Sequence, residues 1–101
     1  MSWASEHISH LKEGRTVKFR PQGGSMTGRV ESGQLVTVEP VDNHAHLEKG
    51  DIVLCKVGKA EYLHLIKKIT GVRFLIGNNK GKTNGWIGEE GIFGKCIGVE
   101  A

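Results

Sequence analysis

Gly50-Asp51-Ile52-Val53-Leu54-Cys55-Lys56-Val57-Gly58-Lys59-Ala60-Glu61-Tyr62-Leu63-His64-Leu65-Ile66 is the stretch whose reading decides the fold. Gly50-Asp51 opens a turn, and Ile52 to Val57 is a strand-like apolar run. Val57-Gly58-Lys59-Ala60 reads as a hairpin corner, after which a second run continues to about residue 69. Working outward, short runs of the same kind recur at 16–20, 34–41, 73–77 and 92–99, with Gly, Asn, Asp and Pro between them. Fifteen glycines and only 6% aromatics in 101 residues suit many tight turns between short strands. The chain is therefore predicted to be mainly β, one domain over residues 16–101 behind a short N-terminal helix or arm over 1–15. In that first segment Ser2 is an N-cap candidate, Trp3, Ile8 and Leu11 lie near one helical face, and Gly14 is a natural stop.

Two polar connections interrupt the strands, at 42–49 and at 78–85. Trp86, directly after the second, is read as a core plug in preference to an exposed aromatic for a partner. A net charge of +3 favours acidic partners, but the basic residues are spread along the chain. The Lys80-Gly81-Lys82 loop with Trp86 is a thin version of a stacking platform for single-stranded nucleic acid. Cys55 and Cys96 both lie in apolar runs and read as reduced thiols of a cytoplasmic protein. No apolar run approaches the roughly 20 residues of a membrane-spanning helix, and neither a tether nor a targeting peptide is evident.

Ser25, in Gly23-Gly24-Ser25-Met26, is the candidate nucleophile, because flanking glycines let a substrate carbonyl approach the backbone closely. A flexible Gly-Gly-Ser turn is the plainer alternative. Thr27 replaces the last glycine of a G-x-S-x-G elbow, which disfavours an α/β-hydrolase. A serine hydroxyl needs a base. His64 is the candidate, the alternative being a half-buried strand histidine satisfied by a backbone carbonyl. Strict alternation puts Tyr62, Ile66 and Lys68 on the face of His64, making Lys68 the fallback base with Lys67 on the opposite face. His44-Ala45-His46 with Asp42, and His7 with His10, are candidate metal ligands, but neither set brings a third and fourth ligand at a recognised spacing, and exposed histidines are the expected reading.

In order and spacing, Gly-Gly-Ser-Met, the alternating Gln34 to Glu39, Gly50-Asp51-Ile52-Val53, Tyr62 to Ile66, Phe74 to Asn79 and Ile92 to Val99 together resemble the serine peptidase superfamily of LexA-like and signal-peptidase catalytic domains. The resemblance covers roughly residues 16 to 99. It implies a coiled β half-barrel and a Ser25/His64 dyad, His64 standing where LexA-like enzymes have lysine and the signal peptidases of the endoplasmic reticulum have histidine. It also implies that Met26 packs beneath the site, that Gly24 lies at the oxyanion side of the cleft, and that no cofactor or metal is used. Where histidine-type members carry a base-orienting aspartate, this chain offers the amides Asn78 and Asn84. Gly28 stands where many members have proline, which is expected to loosen the turn and leave Arg29 free beside the cleft, to bind a carboxylate or remain solvated. The resemblance implies a bacterial or phage protein acting on another protein or peptide in trans, since the Ala-Gly dipeptide of self-cleaving repressors is absent. The alternative is a non-catalytic module of the same fold that binds protein or nucleic acid.

Overall fold

Val57 pairs with Ala60 across Gly58-Lys59 in the computed structural model, which describes residues 2–101, so the chain reverses at the corner read from the sequence. One helix, α1 (Ser5–Lys12), precedes seven strands: β1 (Val17–Phe19), β2 (Leu35–Pro40), β3 (Ile52–Val57), β4 (Ala60–Thr70), β5 (Arg73–Gly77), β6 (Thr83–Ile87) and β7 (Ile92–Glu100). All pairings are antiparallel, in one sheet of order β1-β2-β7-β3-β4-β5-β6. The mainly β expectation with a short N-terminal helix therefore holds.

The register explains why residues 52–55 are continuously apolar. Ile52 opposes Leu65 and Leu54 opposes Leu63, and alternation puts this set on one face; Val53 opposite His64 and Cys55 opposite Tyr62 lie on the other. The first set belongs to a core with Val36 and Val38 of β2, and the second to another with Ile66, Phe74, Ile76 and Ile87. β3 is thus buried on both faces from Ile52 to Cys55, and only beyond that, at Lys56, does it turn polar and exposed.

Ala4, Ile8 and Leu11, spaced four and three apart, pack α1 onto the first core, so Ser5–Lys12 is a docked helix and not a loose arm. The helix ends as expected at Gly14, whose φ of +84° lets the Gly14 and Arg15 N–H groups close back onto the carbonyls of Leu11 and His10. Its start differs from the sequence reading. The N-cap position is Ala4, while Ser2 hydrogen-bonds the Ser5 hydroxyl, and Trp3 lies ahead of the helix, 52% exposed.

The larger correction is in the second polar connection, whose end is a strand. Thr83-Asn84-Gly85-Trp86-Ile87 pairs with β5 as the sheet's outer strand, a role obscured in the sequence by its central Asn-Gly. Trp86 is consequently 42% exposed on that strand and is not a core plug; Ile87 takes the buried position beside it.

Candidate active site

Two irregularities in the β4-β5-β6 ladder shape the site. Ile66 pairs with Ile76 and Lys68 with Leu75, leaving Lys67 as an extra residue; Ile76 pairs with Gly85 and Gly77 with Thr83, leaving Asn84 as another. A bulge residue lies outside the ladder and its side chain is re-aimed. The first bulge overturns strict alternation beyond Ile66. Lys68 lies on the opposite face from His64, exposed, and so is not a fallback base, while Lys67 donates to the Asn78 carbonyl at 2.9 Å. The second bulge turns Asn84 toward His64.

Ser25 and His64, 39 positions apart, converge: His64 Nε2 lies 3.2 Å from Ser25 Oγ, and His64 Nδ1 lies 2.7 Å from Asn84 Oδ1. An amide oxygen only accepts, so Nδ1 carries the proton and Nε2 turns its lone pair to the serine hydroxyl. His64 is only 6% exposed, its ring stacked on Tyr62 at 4.7 Å between centroids, whereas Ser25 is open to solvent. Burial lowers the His64 pKa below 6.5; the Asn84 hydrogen bond opposes this, and the Lys82 charge adds to it. The imidazole is therefore neutral at pH 7 and able to take a proton.

Ser25 sits on a turn fastened from two sides. Met26 and Val30 sink into the first core, as expected of Met26, and the Arg29 and Val30 N–H groups close onto the Met26 carbonyl. From the β5-β6 loop, the Asn79 N–H donates to the Ser25 carbonyl at 3.0 Å and its side-chain amide donates to the Thr27 carbonyl at 2.8 Å. Sequence reasoning passed over Asn79, since one asparagine in a polar loop carries no signal that it reaches 52 positions back. Asn78, by contrast, is not the amide bonded to His64: its Oδ1 accepts from the Lys80 and Lys82 N–H groups and shapes its own loop.

Gly28 does not loosen the turn. At φ +97° it adopts a conformation proline cannot reach, its N–H donates to Glu31 Oε2 at 2.8 Å, and a Cβ there would lie 3.0 Å from the Asn79 amide nitrogen. Arg29 stays exposed and donates to the Gly50 carbonyl at 3.0 Å, outside the lining of the cleft. Gly24 flanks Ser25, and its carbonyl accepts from the Thr27 hydroxyl. The Ser25 and Met26 N–H groups take no part in the turn's backbone hydrogen bonds.

A cleft of about 550 Å³ runs past Ser25 and His64, bordered by Tyr62 and Leu63 of β4, by Phe19 to Gly23 after β1, and by Trp3 and His7. β4 pairs with β5 only from Leu65 onward, so its Glu61–His64 edge on that side has no strand partner.

The other candidates do not converge. His7 stacks on Phe19, His10 bonds Arg15, and His44 Nε2 lies 3.1 Å from the Ile92 carbonyl; among the described residues no three His, Cys, Asp or Glu side chains gather for a metal. Burial pushes the Cys55 thiol up to about 12 and raises that of Cys96, so neither supplies a thiolate at neutral pH. Trp86 shares a shallow depression with Lys56, Arg73 and Glu90, not with Lys80 and Lys82. Among the described residues no helix is long and apolar enough to cross a membrane. No protein-family model matches the chain, and no curated protein matches it either.

Proposed function

We propose that this protein is a serine endopeptidase of the LexA-like and signal-peptidase-like superfamily, acting on an extended protein or peptide segment in trans. The observation that carries the reading is the hydrogen-bonded series Asn84-His64-Ser25 at the cleft. As Ser25 Oγ bonds to the scissile carbonyl carbon, His64 Nε2 takes the hydroxyl proton, and the carbonyl π electrons move onto the oxygen. The Ser25 and Met26 N–H groups, which have no backbone partner among the described residues, are the nearest donors for that oxyanion. Collapse of the intermediate breaks the C–N bond, with the imidazolium returning its proton to the leaving amine; water then hydrolyses the acyl-serine by the same path. The open edge of β4 offers main-chain groups for pairing with an extended substrate.

A serine-reactive acylating probe followed by intact-mass analysis tests this. One adduct on Ser25, absent in Ser25→Ala, is the expected outcome; an unmodified protein sinks the reading and leaves a non-catalytic binding module.

The neutral Asn84 sets a ceiling on the rate. It fixes the tautomer but offers the developing imidazolium a dipole and not a charge. A hydrogen bond to a charged group is worth about 1.5–3 kcal/mol against about 0.5–1.5 for a neutral one, so Asn84→Asp should accelerate Ser25 acylation about tenfold above the His64 pKa. The same carboxylate raises the His64 pKa, moving the acid limb of the rate upward. A variant no faster than the parent across the pH range would show that the charge of this partner is immaterial.

A further inference from the structure

We propose that the α1 arm is the specificity element of the cleft, Trp3 and His7 building with Phe19 an aromatic seat for a bulky apolar side chain of the peptide, with Glu61 matching a basic residue of the same segment. This rests on the peptidase reading and names the sequence class that the site would take.

Phe19, at the end of β1, meets two side chains of the N-terminal segment: His7 stacks on it at 4.4 Å between ring centroids with planes 20° apart, and Trp3 leans against it at 5.7 Å and 52°. All three border the cleft that holds Ser25 and His64. Trp3 precedes the helix, yet α1 is held in place by Ala4, Ile8 and Leu11 in the core, so the indole is presented on a rigid support while remaining 52% exposed. Its contact with Phe19 covers only part of its apolar surface, and rigid, half-covered aromatics anchor peptide side chains at little entropic cost.

The charges of the cleft give the second half of the match. Arg20 donates to the Gly33 carbonyl and Glu31 accepts from the Gly28 N–H, and their opposite charges cancel in the sum along the cleft border, which leaves the charge of Glu61. Glu61 stands opposite Lys56 in the β3–β4 ladder, but its side chain makes no hydrogen bond or ion pair among the described residues, so the cleft border keeps one carboxylate for a cationic partner. The fitting occupant is an extended segment carrying both a large apolar and a basic residue.

The test uses the full chain as Ser25→Ala, which cannot turn over, and labelled decapeptides in which a single Phe or Ala, and a single Lys or Glu, is moved through every position. Anisotropy should show Phe favoured over Ala by about tenfold at one position, an aromatic contact's worth of affinity. Trp3→Ala should abolish that preference and Trp3→Phe restore most of it, while Glu61→Gln should abolish the preference for Lys over Glu. Absence of binding, or preferences unchanged in Trp3→Ala and Glu61→Gln, would overturn the proposal. Because binding is read without turnover, these outcomes are independent of whether Ser25 is acylated in the parent chain.

Discussion

Replacing His64 with alanine is expected to slow acylation of Ser25 by about 10²–10⁴-fold, the range over which a positioned general base contributes. The size follows from the geometry: Nε2 is 3.2 Å from Oγ, and no second base is within reach once the bulge at Lys67 has turned Lys68 to the other face. Since His64 is buried against Tyr62, its removal also leaves a gap, so His64→Gln, which restores most of the volume without a base of useful pKa, belongs beside it. Both variants should keep a cooperative melting transition and lose rate together. A rate within about threefold of the parent in either would mean that His64 does not activate Ser25.

The largest expected effect on stability is at Leu54. It is fully buried at the centre of β3, opposite Leu63 on β4 and Gly94 on β7, with its side chain in the core that also receives α1. Leu54→Ala removes buried methyl groups and leaves a void that strands paired on both sides cannot close, at a cost of about 2–5 kcal/mol. A domain of this size has about 5–15 kcal/mol in all, so denaturant unfolding should shift to much lower concentration. Leu63, across the strand pair, is the neighbour of His64, so acylation should fall along with the folded fraction. A loss below about 1 kcal/mol would show that the β3-β4 seam is looser than its burial implies.

The fold was legible wherever side chains alternate or run apolar between glycines: six of the seven strands coincide with such runs to within about two residues, the usual uncertainty at element ends. β6 escaped because Asn84 and Gly85 are poor strand formers locally and are held there only by pairing with β5. Ser25, His64 and Asn84 were each singled out by the sequence and converge in the structure, but the choice between Asn84 and Asn78 was not available to the sequence. That choice is made by a bulge, which period-two reasoning cannot place, and the bulge at Lys67 likewise defeated the assignment of Lys68. The Asn79 clamp and the commitment of Arg29 to Gly50 are contacts across 52 and 21 positions, fixed only once the sheet has closed.

Transfer of the Ser25 proton to neutral His64 is tested most directly by the pH dependence of Ser25 acylation alongside the NMR titration of the His64 ring in the same protein. Burial holds the folded pKa below 6.5. Hence below 6.5 the unfolded chain binds a proton that the folded chain refuses, and the stability contributed by the neutral ring is full above 6.5 and is lost as pH falls toward the folded pKa. The acylation rate is expected to be level near neutral pH and to fall at a midpoint below 6.5 that coincides with the ring titration, both moving upward when Lys82→Gln removes the nearby charge. A rate indifferent to the protonation of His64, or one rising in simple proportion to hydroxide through that range, would contradict it.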